Sequence, residues 1–260
     1  MRLKLKTAPT VEPITLDEAK LHLRVDSAED NVLISALITT ARQLAEQETK
    51  RVFIMQTWQM YLDSALAEIE IPKPPLQGIE SIKTISSTET TVDETVDKDQ
   101  PVLKVASTTG LAAGDSVLIN RDGDREEEKI ILSIQDGVSL TLTTNLTYIH
   151  TAAQADKVEK YWLVNKASYS IDLSENSPGR VKLRDGCTWP DHRGFASFII
   201  EFKGGYGDAA TDVPEALKQA LFVLIAHMYE NRGGEGAVKA RVHALEEARI
   251  LLAPFKIWTL

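Results

Sequence analysis

Hydrophobic positions recur at the spacing of an α-helix near the start of the chain. One such stripe predicts a helix over 28–50, and its members are Leu33, Leu37, Ala41 and Leu44. Thr15 and Glu18 form the capping-box pattern, which predicts a shorter helix over 15–24. The chain therefore begins with helical material.

Helical spacing returns near the end of the chain, over 213–231 and 237–252. Asp212 is the expected N-cap of the first of these helices, and Pro214 suits its first turn. Its apolar residues occupy nearly every side, which predicts a helix covered by neighbours rather than exposed to solvent. Pro254 ends the second helix.

Between these helices the apolar period changes to two, which predicts strands within 52–85 and again within 160–203. Residues 86–100 are rich in Ser, Thr, Asp and Glu without periodicity, and they indicate a linker or exposed loop. Helices at both ends that enclose strands predict an α+β fold: an α-helical bundle from the N- and C-terminal helices with an attached antiparallel sheet.

A separate run of short strands occupies 97–160. Turn signals divide them at Gly114-Asp115, Asp122-Gly123 and Asp136-Gly137, and Asp-Gly is a strong hairpin signal. Four or five short strands in this space predict a small β-barrel or sandwich. We therefore expect three segments: 1–96 as the N-terminal part of a core, 97–160 as an inserted β-module, and 161–260 as the C-terminal part of the core.

Composition narrows the classes of protein without choosing among them. The formal net charge is −9, which disfavours a surface built to grip nucleic acid. The single cysteine, Cys187, excludes an intrachain disulfide. Met1–Lys6 alternates leucine with cations and so lacks a secretory h-region, and the apolar run 221–228 is too short to cross a bilayer. These features indicate a soluble protein without a membrane partner.

No recognisable catalytic, cofactor-binding or metal-binding pattern stands in the sequence. The histidines lack the spacing of a zinc hydrolase; they are His22, His150, His192, His227 and His243. The Asp191-His192 pair could suggest a catalytic base, but the sequence has no Gly-x-Ser-x-Gly nucleophile motif. Gly204–Gly207 lacks the lysine of a phosphate loop, so we interpret it as a strand end that turns toward the helix at 213. The alternating acids of 120–126 lack the distal glutamate of an EF-hand, which favours a solvated hairpin tip over a weak cation site.

Five short motifs, in one order, resemble the head–tail connector (adaptor) family of long-tailed bacteriophages. They are Thr15–Lys20 with Leu23–Val25, Pro72–Leu76, Gly204–Gly207, Val213–Ala220 with Tyr229–Arg232, and Leu251–Phe255. The resemblance spans both ends of the chain and omits roughly 97–160. This omission is a second reason to regard that segment as an insertion.

The resemblance implies a non-enzymatic virion structural protein without a cofactor. It implies self-association into a ring under the portal protein, a DNA channel that DNA crosses without specific binding, and a docking surface for the tail or for a head-completion (stopper) protein. Assembly in the host cytoplasm and residence at the head–tail interface of the virion follow. An enzyme or ligand-binding protein with an unrecognised site, or another phage role such as tail completion, stays open.

The C-terminal segment is the candidate docking site. Apolar residues continue past Pro254, where a frayed polar terminus is the ordinary expectation. They could fold back on their own chain or dock on a neighbouring subunit or the portal. Connector proteins of this kind are held to the portal largely through C-terminal segments, which favours docking. The predicted docking residues are Leu251, Leu252, Pro254, Phe255, Ile257, Trp258 and Leu260.

Overall fold

The computed structural model describes residues 1–64, 66–174, 177–231 and 246–258. Within them, the α-helices are α1 (Leu16–Leu23), α2 (Asn31–Thr49) and α3 (Glu215–Glu230), and residues 246–252 are also helical. The helices predicted over 15–24, 28–50 and 213–231 are confirmed, with shorter ends. Of the helix predicted over 237–252, the part 237–245 lies outside the described residues.

Local side-chain chemistry explains where these helices begin. Thr15 Oγ1 accepts the Glu18 N–H at 3.2 Å, and Glu18 Oε2 accepts the Thr15 N–H at 2.7 Å, so the predicted capping box is present. The expectation that Asp212 caps α3 is wrong. Its carboxylate instead accepts the Ala209 N–H at 2.9 Å and closes a 3₁₀ turn, which leaves Pro214 as the N-cap.

The helices pack on one another around a shared apolar cluster. Ile34 and Ile38 of α2, Leu217 and Leu221 of α3, and Leu252 of the last helical segment are all buried in it. Burying side chains of this size contributes about 1.5–3 kcal/mol each. The N- and C-terminal helices therefore meet, and no side chain of α3 from 220 to 229 is fully exposed. The sequence predicts both features correctly.

Strands form the rest of the protein. In chain order they are β1 (Arg2–Thr7), β2 (Gln56–Leu62), β3 (Glu68–Ile71), β4 (Leu76–Thr91), β5 (Val102–Lys104), β6 (Ser116–Ile119), β7 (Glu127–Gln135), β8 (Ser139–Leu142), β9 (Lys157–Leu163), β10 (Tyr169–Asp172), β11 (Gly179–Leu183) and β12 (Phe198–Gly204). A nine-stranded sheet has the order β1-β2-β12-β4-β9-β6-β7-β8-β5, and a three-stranded sheet has the order β10-β11-β3. The strand pairs are antiparallel, as expected for an α+β fold.

A second apolar cluster lies between the two sheets. Met60, Ile82 and Phe202 of the large sheet are buried with Ile71 and Val181 of the small one. The small sheet therefore covers one face of the large sheet near its centre.

Strand β4 is longer than the sequence predicts, because the expected linker over 86–100 is wrong for its first part. Residues 86–91 continue β4, and Thr90 pairs with Val158 of β9 with its side chain buried. Serine and threonine lower the apolar signal without opposing strand geometry, and threonine favours it. Composition therefore suggested a loop where pairing imposes a strand.

The strands of 97–160 join the large sheet without a break, since β9 pairs with both β4 and β6. At the other end, an isolated bridge joins Val92, just after β4, to Val105, just after β5. Strand pairing therefore runs from β4 through β9, β6, β7, β8 and β5, and the Val92–Val105 bridge returns it to the end of β4. Buried apolar residues fill the space inside, among them Leu103, Val117 and Ile131. The domain limits at 97 and 160 stay a prediction.

Strand β1 was not predicted. Leu3 and Leu5 pair with Met60 and Trp58 of β2, while cations alternate with them along the strand. It forms an edge of the large sheet, and lysines on an edge strand discourage pairing with other chains. Among the described residues, no helix is both long and apolar enough to cross a membrane.

Candidate docking surface

The C-terminal segment folds back onto the end of α2. The Ile257 N–H donates to the Thr49 carbonyl at 3.0 Å, and Arg51 Nε donates to the Phe255 carbonyl. Lys256 Nζ donates to Glu48 Oε1 at 2.8 Å, and this hydrogen bond is the main cause of a lowered pKa of the Glu48 carboxyl. Residues 255–257 are thus held by backbone and side-chain bonds rather than frayed.

The predicted docking residues divide by exposure. Leu252 and Ile257 are buried in their own chain, and Leu251 and Phe255 are half-buried. Pro254 is exposed, and Trp258 leaves 75% of its surface in solvent. Leu260 lies outside the described residues. Folding back therefore accounts for part of the set, while the large apolar side chain of Trp258 stays mostly in solvent.

Lys256 lies beside Trp258. Its ammonium nitrogen is 5.3 Å from the centre of the indole ring, within the range of a cation–π contact. Together with the bond to Glu48, this contact fixes the lysine between α2 and the tryptophan. The indole is therefore presented from an ordered segment.

A groove adjoins the same end of α2, and we call it the α2 groove. Its volume is about 470 Å³, and its apolar lining includes Leu5, Pro9, Trp58 and Pro72. Four charged residues also line it, namely Arg42, Glu46, Lys50 and Lys73. Because Lys50 follows Thr49 directly, the groove and the C-terminal segment share one end of the helix. Sequence reasoning missed this groove, since four separate segments of the chain build it.

Ion pairs hold Arg42 and Glu46, two residues that line the α2 groove. Arg42 Nη1 lies 3.1 Å from Glu46 Oε2, and Arg42 Nε lies 2.7 Å from Glu12 Oε2. Glu46 Oε1 accepts the Phe53 N–H at 2.9 Å and the Gln56 amide at 3.2 Å. Burial raises the pKa of the Glu46 carboxyl against the effect of these donors. The other two charged residues that line the groove are both lysines, Lys50 and Lys73.

The described histidines considered for chemistry each contact a different part of the chain. His192 Nδ1 contacts the Pro190 carbonyl at 3.1 Å, His227 Nε2 contacts Glu247 at 3.1 Å, and His22 stacks on Phe222. Asp191 is exposed. His243 lies outside the described residues.

The acidic hairpin tip over 120–126 is tied to the first strand. Asp122 Oδ2 accepts a hydrogen bond from Arg2 at 2.7 Å, and Glu126 Oε2 accepts the Asp122 N–H at 2.6 Å. Within the described residues, no group of three or more histidine, cysteine or acidic side chains could hold a metal ion. These acids therefore serve as hydrogen-bond and ion-pair acceptors within the chain.

A buried ionic network holds the loop between β8 and β9 onto β7. Glu127 accepts the Thr147 N–H at 2.8 Å and contacts Lys129 Nζ at 2.9 Å and His150 Nε2 at 3.0 Å. His150 Nδ1 lies 3.1 Å from Asp156 on its other side. Although burial opposes ionisation, these donors lower the pKa of Glu127 to about 2. The network is a structural clasp of the module.

This lowered pKa predicts a loss of stability in acid. The pKa of an ordinary glutamate carboxyl is 4.5, so below that pH the unfolded chain binds a proton that Glu127 of the folded chain does not yet bind. The stabilising contribution is complete above pH 4.5 and disappears as pH falls toward 2. We expect urea unfolding measured across this range to show the loss, and Glu127→Gln to lack this part of the pH dependence. Asp136→Asn, at an exposed turn, is the control. Equal pH dependence in wild type and Glu127→Gln would contradict the assignment.

Comparison with known proteins identifies relatives of this architecture. Residues 13–103 match the family described as phage gp6-like head-tail connector protein. No curated protein matches the chain. A solved structure titled "Neck of empty GTA particle computed with C6 symmetry" is similar with a TM-score of 0.60 and 14% identity, covering 100% of this chain and 97% of that chain.

Two further solved structures are similar over the same shares of both chains. One is titled "Virion of native gene transfer agent (GTA) particle", with a TM-score of 0.55 and 14% identity. The other is titled "Neck of native GTA particle computed with C12 symmetry", with a TM-score of 0.52 and 15% identity. At this identity the likeness concerns the fold.

Proposed function

Because this chain carries the gp6-like head–tail connector match over residues 13–103, we propose that it forms an oligomeric ring under the portal of a phage head. In this role the ring extends the DNA channel and provides the docking surface for the tail or for a stopper protein. The family match and the likeness to particle-neck structures support a structural connector role. The observation that carries the docking part is the ordered C-terminal segment with an exposed Trp258.

The C-terminal segment binds the portal through Trp258. Leu252 is buried in the helical cluster, and Ile257 is buried with its N–H bonded to the Thr49 carbonyl, so both fasten the segment to its own chain. Fixing the backbone beforehand lowers the entropy that docking has to overcome. Tryptophan is among the residues that most often dominate protein interfaces, so its burial in a portal pocket would supply much of the binding energy.

The DNA channel of the ring requires little affinity for DNA. Basic contacts to phosphates produce sequence-independent adhesion, which would slow the passage of DNA. The formal net charge of −9 disfavours such contacts over the protein as a whole. Passage without specific binding is consistent with this charge.

Replacing Trp258 with serine tests the proposed docking. We expect the variant to fold normally, because the side chain is largely exposed, and to bind the cognate portal at least about tenfold more weakly. Binding is measured by interferometry with immobilised portal, and folding by circular dichroism.

Ile250→Ser is the matched control, since Ile250 is 77% exposed on the neighbouring helical turn and should tolerate the change. Portal binding by Trp258→Ser at the strength of wild type would refute docking through this residue. Electron microscopy of wild type mixed with portal tests the ring itself, and single copies scattered on the portal would refute it.

A further inference from the structure

Phe195 is an exposed aromatic residue on the loop between β11 and β12. Its side chain is 83% exposed, although phenylalanine has no polar atom that would favour solvent. It belongs to residues 189–197, which we call the Phe195 loop and which precede β12 directly. The sequence hint was slight: two aromatic residues, Trp189 and Phe195, stand in a polar, glycine-containing turn.

Hydrogen bonds hold the backbone on both sides of Phe195. The Ala196 N–H donates to Asp63 Oδ1 at 2.7 Å, and the Ala196 carbonyl accepts from Arg121 Nη1 at 2.8 Å. Ser197 Oγ donates to the Gly194 carbonyl at 2.8 Å, and the Arg193 N–H donates to the Ile85 carbonyl at 3.0 Å.

This anchoring makes the Phe195 loop suitable for recognition. When a flexible loop binds a partner, it loses conformational entropy. A loop that several hydrogen bonds already fix has little conformational entropy to lose on binding. Aromatic residues presented in this way are the usual anchors of protein interfaces. Phe195 therefore projects into solvent, where it can contact a partner, and it is not part of the core.

The α2 groove lies at the opposite end of β12 from the Phe195 loop. Phe198 begins β12 next to the loop, and Gly204 ends it in register with Gln56, which lines the groove. A strand of seven residues spans about 20 Å at ~3.3 Å per residue. Phe195 therefore lies well away from the groove of its own chain, whereas the groove of another copy is open to it.

Size and charge match between the two surfaces. The α2 groove, of about 470 Å³, has room for a bulky side chain, and part of its lining is apolar. Acidic residues flank Phe195, since Asp63 is bonded to the loop and Asp191 belongs to it, and both are exposed. Lys50 and Lys73 of the groove carry the opposite charge.

We propose that Phe195 of one copy inserts into the α2 groove of the next copy, with Asp63 and Asp191 facing Lys50 and Lys73 across the contact. The inference rests on the proposed ring, for which it supplies a contact between subunits. Because the two surfaces lie at opposite ends of β12, each copy offers one and accepts one. Such a head-to-tail contact generates a closed ring when the rotation between copies closes.

Photo-cross-linking tests the contact directly. The chain with benzoylphenylalanine at position 195 is mixed with ¹⁵N-labelled wild-type chain and with portal, irradiated and digested. We expect cross-links from position 195 to labelled peptides that contain residues 42–50, 56–58 or 72–73. The isotope label separates contacts between copies from contacts within one copy. Cross-links to other parts of the neighbour, or to portal alone, would overturn the inference.

Two substitutions measure the strength of the contact. Phe195→Ser and Lys73→Glu are each expected to lower the fraction of chains in rings at least about tenfold, as counted by electron microscopy on portal. Leu21→Ser is the matched control, because Leu21 is 82% exposed on α1 and lines neither surface. Rings of wild-type yield in Phe195→Ser would overturn the inference while the proposed function stands. Absence of rings in wild type would overturn both.

Discussion

Replacing Gly205 with alanine is expected to lower the free energy of unfolding by about 3–5 kcal/mol. Gly205 has φ +136°, a backbone conformation that side chains rarely adopt. A Cβ atom at this position would lie 2.7 Å from backbone atoms of Ile54 and Met55, which cannot move aside as a flexible side chain would. The strained φ and the steric clash would both destabilise the folded protein.

The reason for this close approach is the joint between the sheet and the helices. The Gly205 N–H donates to the Pro75 carbonyl at 2.9 Å, and the Gly205 carbonyl accepts from Gln77 Nε2 at 2.7 Å. The next N–H, of Tyr206, donates to the Phe53 carbonyl at 3.0 Å. A displacement here would disturb the segment on which the chain turns from β12 toward α3.

Urea unfolding followed by tryptophan fluorescence measures the change. Gly78→Ala is a matched control, since a Cβ at Gly78 would meet no atom within 4 Å and its φ is not positive. We expect that variant to stay within about 0.5 kcal/mol of wild type. An equal and small effect of both substitutions would contradict the steric explanation for Gly205.

Replacing Glu159 with glutamine is the second change of large expected effect. The Glu159 side chain is buried, with Arg121 Nε at 2.6 Å from Oε2 and with Arg193 bonded to Oε1. Removing one partner from a buried ion pair leaves charge without compensation and costs about 3–5 kcal/mol. Because Glu159 joins β9 to the Phe195 loop, the variant should also loosen that loop.

The exposed pair of Glu94 and Lys104 provides the control. Its atoms are as close, at 2.6 Å, but both side chains are about half-exposed. Solvent screening reduces such pairs to about 0–1 kcal/mol, so Glu94→Gln should unfold almost as wild type does. Thermal unfolding by calorimetry compares the two variants. Similar losses in both would show that burial does not decide the strength of the Glu159 network.

The sequence was sufficient for features that depend on neighbours along the chain. The capping box at Thr15, the apolar stripe over 28–50 and the covered helix after Pro214 each follow from spacing or from a local hydrogen bond. The glycines at 204–207 also predicted the turn toward α3. Helical periodicity and turn chemistry act within a few residues, so one sequence carries them fully.

Strand pairing was much less visible in the sequence. Nothing local marks β1 as a strand, and the polar stretch 86–91 reads as a loop until β9 pairs with it. Their partners lie fifty or more residues away along the chain. A strand is stabilised by hydrogen bonds to such distant segments. The amino-acid composition of the strand itself predicts this pairing only weakly.

The candidate surfaces divide in the same way. The sequence alone determined that an apolar segment follows Pro254 and that helices precede and follow all the strands except β1. Only the tertiary structure decided that Ile257 turns inward on α2 while Trp258 stays in solvent, and that distant segments build the α2 groove opposite Phe195. The burial of a side chain depends on which distant segments of the chain pack against it. The folded structure sets these contacts, and the neighbouring residues in the sequence do not.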